Sequence, residues 1–346
     1  MNKHGCYMGD NIKEIIDFSY NINICGIKDG LDKYLLSKIS SITRYPEIDG
    51  LSAKNAICDF YGIDKKNCIM GNGAVELLYL FARVVNFKKV LIINPTFTEY
   101  ERAFKILGTE IIWGNLKYED NFELNICKFK ELIYNDEIEG VIICNPNNPT
   151  GKYIDEENLV KMQTIANNKG MYFILDESFI EFAMDEVPKR KFKGDNWFIL
   201  RSLTKYYAVP GLRVGYAIGS ETIINKLLKH KEPWSLNTFA IEAIPFLLEN
   251  REFYKKGNNQ IIKNREYLLS KLRKVTNWHC FDSETNFVLC KINENADKVI
   301  EYLFKNKIVV RTCDDFKGLD QSFIRLAIKD LDSINILLEV LKNYYI

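Results

Sequence analysis

The sequence predicts an α/β protein: a large domain built on a mostly parallel sheet covered by helices on both faces, and a smaller α+β domain capping it. Three observations carry this expectation. Apolar runs at 90–94, 139–144, 171–175, 197–201 and 214–218 alternate with polar or helical stretches, the pattern of buried parallel strands joined by crossover helices. Several of these runs break into polar residues at their carboxyl ends, the edge at which open α/β sheets bind ligands. After Trp234 the pattern changes. A helical stretch from Phe253 to Leu272 is followed by strand-like pieces at Asn286 to Lys291, Ile308 to Arg311 and Phe323 to Ala327, and then by a helix with Ile334, Leu337, Leu338 and Leu341 on one face. The expected division is residues 31–235 for the large domain and residues 1–30 with 236–346 for the small one, residues 1–30 forming an N-terminal arm.

In chain order, the first element with chemistry is Gly71-Asn72-Gly73-Ala74-Val75-Glu76, which opens the apolar stretch Leu77 to Val85. A glycine-rich turn before a helix aims free backbone amides at an anion, and the helix dipole adds to the attraction. The amides of Gly73, Ala74 and Val75 are therefore candidates for a phosphate, although a helix entry without a ligand fits the segment as well. The strand from Val90 leads into Pro95-Thr96-Phe97-Thr98-Glu99-Tyr100, where Tyr100 is the candidate to stack on a flat ring.

The next three strand ends offer an amide, a carboxylate and an amine. Residues 139–144 lead into Asn145-Pro146-Asn147-Asn148-Pro149-Thr150-Gly151, residues 171–175 into Asp176-Glu177, and residues 197–200 into Arg201-Ser202-Leu203-Thr204-Lys205, with Arg213 eight positions on. Taken alone, Lys205 also fits an ordinary surface lysine beside a loop. Taken together, the set is what pyridoxal 5'-phosphate requires: Lys205 for the imine, Asp176 for the pyridine nitrogen, Asn148 for the ring hydroxyl oxygen, and Ser202, Thr204 and Arg213 for the phosphate. At about 4 Å and an effective dielectric of roughly 20, a charge pair is worth about 4 kcal/mol, or about three pKa units. That keeps the ring nitrogen protonated near neutral pH.

Asn-Pro-Thr-Gly, Asp-Glu, Ser-x-Thr-Lys and Gly-Leu-Arg stand here in the order and at the intervals of fold-type I pyridoxal-phosphate enzymes of aminotransferase class I/II, which the chain resembles over nearly its whole length. Two subfamilies compete within that group. The resemblance is closer to L-threonine-O-3-phosphate decarboxylases than to histidinol-phosphate aminotransferases. It rests on His4-Gly5, on Asp17-Phe18-Ser19-Tyr20-Asn21-Ile22-Asn23, on Pro210-Gly211-Leu212-Arg213, and on Val310-Arg311-Thr312-Cys313 through Phe323-Ile324-Arg325-Leu326-Ala327. It rests also on Phe179, where the aminotransferases usually carry a tyrosine. Cys6 and Ile24 depart from the decarboxylase pattern, in a segment expected to close over substrate.

The resemblance implies Arg325 against a substrate α-carboxylate, for which planar bidentate pairing suits arginine. It implies His4, Gly5, Asn21, Asn23, Asn148 and Arg311 around the rest of a small phosphorylated amino-acid substrate. Tyr45 resembles a tyrosine that reaches the neighbouring subunit's cofactor phosphate, which implies a homodimer. The implied reaction is decarboxylation of L-threonine O-3-phosphate to (R)-1-aminopropan-2-yl phosphate in cobalamin biosynthesis. The alternative is amino transfer from a histidinol-phosphate-type substrate to 2-oxoglutarate; which bond at Cα breaks depends on a rotation about N–Cα that sequence does not fix. A third reading is a ligand sensor, because aminotransferase-like domains also occur in transcription regulators, there beside a separate DNA-binding domain.

Composition sets the outer bounds. A chain of 346 residues with 47% apolar content buries a sizeable core. Lysine plus arginine (47) nearly equals aspartate plus glutamate (46), so no global field recruits nucleic acid or an acidic membrane, and a substrate anion must be met by local arginines. Nine cysteines at irregular positions without C-x-x-C, and only three histidines, argue against zinc or any other metal and for reduced thiols in a cytoplasm. The N-terminus shows no leader pattern, and no apolar stretch approaches the roughly 18 residues of a membrane span. A soluble, unprocessed protein is expected.

Overall fold

The computed structural model describes residues 5, 14–134 and 137–345; His4 and Cys6 lie outside the described residues. The strands, in chain order, are β1 (Ile16–Asp17), β2 (Cys68–Gly71), β3 (Lys89–Asn94), β4 (Glu110–Asn115), β5 (Gly140–Cys144), β6 (Tyr172–Asp176), β7 (Trp197–Ser202), β8 (Gly215–Gly219), β9 (His279–Cys280), β10 (Phe287–Lys291), β11 (Ile308–Val309), β12 (Arg311–Thr312) and β13 (Phe323–Ala327). Seven of them form one sheet in the order β2-β8-β7-β6-β5-β3-β4. Strands β3 to β7 run parallel, while β8 lies antiparallel between β7 and β2.

The central strands read as unbroken apolar runs because both faces are covered: every residue of β5 is buried, and so is all of β6 and β7 beyond its first residue. Strand order reverses at β3 and β5, since the chain steps outward from β3 to β4 and then returns to the other side of β3. Such a reversal opens a crevice at the carboxyl ends. Here Thr96 donates to Asn147 Oδ1 (2.9 Å) and Asn147 Nδ2 to the Pro95 carbonyl (2.8 Å), tying the two loops together.

Two small sheets lie beyond. β12-β13-β10-β9 is antiparallel, and β1 pairs in parallel with β11, which places the arm on the C-terminal part of the chain. The expected single strand from Ile308 to Arg311 is in fact two: the chain leaves the arm's sheet after Val309 and enters the larger sheet at Arg311. A single apolar core runs through Phe18, Ile57, Tyr207, Ile244, Leu268, Leu326 and Leu337, so elements from both ends of the chain are packed together.

Candidate active site

The carboxyl ends of β5, β6 and β7 deliver Asn148, Asp176 and Lys205 to one cavity of about 360 Å³ between the large sheet and the four-stranded one. Asp176 ends β6 and is 6% exposed. Both of its oxygens already have a donor: the Ser178 amide to Oδ1 (2.8 Å) and the Tyr100 hydroxyl to Oδ2 (2.7 Å). Lys205 stands three residues past β7, its Nζ 5.1 Å from the centre of the Phe179 ring and 3.5 Å from Ser202 Oγ. Burial holds this ammonium below its usual pKa; Asp176 and Cys144 oppose the shift, and Arg213 and Arg325 reinforce it. The amine is thus biased towards the neutral form in which it is a nucleophile.

A second group of residues forms a cradle for an anion. Gly73 stands before the helix Ala74–Val85 with φ +80°, and a Cβ there would lie 2.7 Å from Arg213 Nη2. A Cβ on Gly215 would lie 2.6 Å from the Ala74 amide, so both glycines keep the turn close to its neighbours. The Gly73 amide donates to the Gly71 carbonyl (2.8 Å). This corrects its expected role: Ala74 and Val75 supply the open amides of the first turn, and Gly73 contributes by lacking a side chain. Ser202 and Thr204, whose hydroxyls are 2.8 Å apart, and Arg213 line the same end. Arg213→Ala is expected to weaken binding of pyridoxal phosphate by about tenfold to a hundredfold, the worth of one charge-assisted hydrogen bond; absorbance titration of the cofactor-free protein measures it, and an unchanged dissociation constant assigns the phosphate elsewhere.

The opposite end is cationic. Arg325, 4% exposed, donates from Nη1 to Asn148 Oδ1 (2.5 Å) and from Nη2 to the Ser19 carbonyl (2.9 Å), while its buried Nε has no hydrogen-bond partner among the described residues. Burial pushes Arg325 down to about 10, which leaves it charged at neutral pH. With Oδ1 of Asn148 taken, its Nδ2 remains as the donor for a ligand oxygen. Arg311 lines the cavity with its guanidinium against the Phe316 ring (5.0 Å) and paired with Asp315 (2.7 Å). Gly5 and Asn21 line the cavity as well, and Asn21 Nδ2 is buried with no partner among the described residues. Unmet donors at Asn21 Nδ2 and Arg325 Nε, with Arg311 lining the same cavity, are what an anionic ligand satisfies.

The geometry brings Tyr100 to the cavity and corrects the expected role of Asn23. Tyr100, 1% exposed, lines the cavity with its hydroxyl donated to Asp176 Oδ2. Phe97 is partly exposed and lines the cavity as well, a second aromatic side chain on the same loop and helix start. Asn23 does not reach the cavity, because its Nδ2 donates to the carbonyls of Tyr206 and Tyr254 (3.0 Å each) and its Oδ1 accepts from Cys25. Tyr45 lies outside the cavity of its own chain, 82% exposed, its ring 4.9 Å from that of Trp234. Sequence reasoning missed Phe97, Tyr20 and Phe316. Phe97 had a signal, since it sits on the loop between a strand end and a helix, where side chains face the crevice.

A lysine amine, a buried carboxylate, an amide and a phosphate cradle in one cavity define an enzyme built around a phosphorylated aldehyde cofactor. Residues 15–341 match the family described as Aminotransferase class I and II. The chain is 38% identical to the "Putative threonine-phosphate decarboxylase" of Caldanaerobacter subterraneus subsp. tengcongensis, covering 99% of this chain and 94% of that one. It is 30% identical to the histidinol-phosphate aminotransferase of Methanococcus aeolicus, over 96% of this chain and 91% of that one. The crystal structure of histidinol-phosphate aminotransferase from Clostridium acetobutylicum superposes with a TM-score of 0.86 at 32% identity, over 94% and 98% of the two chains. The protein belongs to the aminotransferase class I and II family. It is a pyridoxal-phosphate-dependent enzyme.

Proposed function

We propose that the protein decarboxylates L-threonine O-3-phosphate to (R)-1-aminopropan-2-yl phosphate in cobalamin biosynthesis. The observation that carries this reading is Phe179, whose ring lies 5.1 Å from Lys205 Nζ. The aminotransferases that the chain resembles usually place a tyrosine there, and Phe179 has no hydroxyl to offer the ring oxygen. The 38% identity over 99% of the chain to a relative named for threonine-phosphate decarboxylation supports the same choice.

In this reading Lys205, Asp176 and Asn148 hold the cofactor ring, Tyr100 and Phe97 flank it, and Ala74, Val75, Ser202, Thr204 and Arg213 hold its phosphate. Bound pyridoxal phosphate supplies the sink for the electron pair released at the substrate Cα. Asp176 keeps a proton on the ring nitrogen. Arg325 anchors the α-carboxylate, so that the bond to be broken is chosen by where the guanidinium stands. Arg311, Asn21 and Gly5 face the substrate phosphate, and His4 is assigned there by resemblance alone. Lys205 Nζ returns a proton to Cα after carbon dioxide leaves.

Two copies complete the site. Tyr45 and its exposed neighbours Ile42, Ile48 and Leu51 form an apolar face suited to a second copy, across which Tyr45 reaches the partner's cofactor phosphate. We assign residues 31–235 to the cofactor domain, residues 1–30 and 236–346 to the cap, and the enzyme to the cytoplasm, on its scattered thiols. The second reading, amino transfer from histidinol phosphate to 2-oxoglutarate, draws on the 32% identity and close superposition with the clostridial enzyme.

One experiment separates the readings. The enzyme is given L-threonine O-3-phosphate, L-serine O-phosphate or histidinol phosphate, each with and without 2-oxoglutarate, and carbon dioxide and glutamate are followed. Carbon dioxide from threonine phosphate without any keto acid is expected. Stoichiometric glutamate without carbon dioxide makes the protein an aminotransferase.

A further inference from the structure

Asn23 is 1% exposed and reaches no ligand cavity, yet it touches the segment that carries the lysine. Its backbone amide donates to the Lys205 carbonyl (2.9 Å). Its side-chain Nδ2 gives one hydrogen to the Tyr206 carbonyl and the other to the Tyr254 carbonyl, both at 3.0 Å, and Tyr254 belongs to the helix Arg251–Val275. A primary amide that spends both hydrogens on carbonyls of different segments works as a bracket. Aspartate has no donor to give, and glutamine is a methylene too long for the space. That space is closed from behind, since a Cβ on Gly257 would lie 2.5 Å from Asn23 Oδ1 and 2.8 Å from Cys25 Cβ.

The bracket sits where orientation matters. Lys205 follows β7 in a short turn whose other restraint at that carbonyl is the Ala208 amide, at 3.3 Å. On the other side of Asn23, residues 19–22 line the cavity. We infer that Asn23 is a positioning residue for Lys205: its side chain fixes the turn that aims Nζ and couples that turn to the arm facing the substrate. Asn23 touches neither substrate nor cofactor, and acts only through the backbone it holds.

The inference rests on the decarboxylase reading only for its substrate assay. Asn23→Ala and Gly257→Ala are compared with the parent as full-length, cofactor-loaded enzymes. Three quantities are read: the pH midpoint of the cofactor's visible absorption band, kcat and KM for threonine phosphate, and Tm. In both variants the midpoint is expected to move by about half a unit or more, and kcat to fall by about tenfold to a hundredfold with KM within about threefold, the cost of a misplaced reacting group. A parent-like midpoint and kcat in a folded variant, or a loss confined to Tm or KM, makes Asn23 a structural cap and overturns the inference. Should Asn23→Ala fail to fold, Gly257→Ala decides alone, because it keeps the Asn23 amide and displaces it by crowding Oδ1 together with the neighbouring Cys25 side chain. If the parent decarboxylates no phosphoamino acid, the functional reading fails while the absorption titration still tests Asn23.

Discussion

Asp176→Asn is expected to retain pyridoxal phosphate and to lose about a thousandfold in kcat, the equivalent of the roughly 4 kcal/mol that a carboxylate contributes to keeping the ring nitrogen protonated. The change is nearly isosteric. The Ser178 amide still finds an oxygen, and the Tyr100 hydroxyl can turn from donor to acceptor, so folding and cofactor affinity should change little. What disappears is the negative charge in a site that is 6% exposed, where water cannot replace it. Stopped-flow turnover and the absorption spectrum of the bound cofactor check this together. Activity within tenfold of the parent shows that Asp176 is an architectural residue.

Arg325→Ala carries the other large effect, a fall in kcat/KM for threonine phosphate of about a hundredfold to a thousandfold. Removing one member of a buried, hydrogen-bonded charge pair costs about 2–5 kcal/mol. Two further losses follow locally, since the Asn148 side-chain oxygen and the Ser19 carbonyl both lose their donor. Arg325→Lys should recover little, because an ammonium cannot present two parallel N–H groups to a carboxylate. Carbon dioxide release at near-parent efficiency moves the carboxylate anchor to Arg311. Steady-state kinetics of the two variants side by side give the answer.

Much of this site was legible in the sequence, for a reason that can be named. Strands buried on both faces read as continuous apolar runs, so their carboxyl ends, and with them Asn148, Asp176 and Lys205, could be placed by inspection. The less visible strands were those without such runs. β2 is buried throughout but has only four residues, and β4 is an edge strand whose residues are mostly half-exposed or exposed, so neither gives a long buried run. Side-chain direction was the other gap. In Asp-Phe-Ser-Tyr-Asn-Ile-Asn both asparagines looked equally able to meet substrate, but the chain turns between them, and Asn21 faces the cavity while Asn23 faces the lysine turn. Likewise Phe97 and Tyr100 are three residues apart across a helix start. The helix Glu99–Lys105 carries the second of them inward to Asp176.

The apolar core that joins Phe18 and Ile57 to Ile244, Leu268 and Leu337 bears on how this enzyme can be rebuilt. Cutting the chain near residue 235 would not separate a cofactor module from a substrate module, because the helix Leu51–Tyr61 would lose the helix Thr238–Glu249 from its apolar side. Grafting another relative's C-terminal segment to change substrate preference therefore also replaces part of the core that the lysine turn shares. Specificity is better altered by point changes around Arg311, Phe316 and Tyr20, which line the cavity without carrying that shared core.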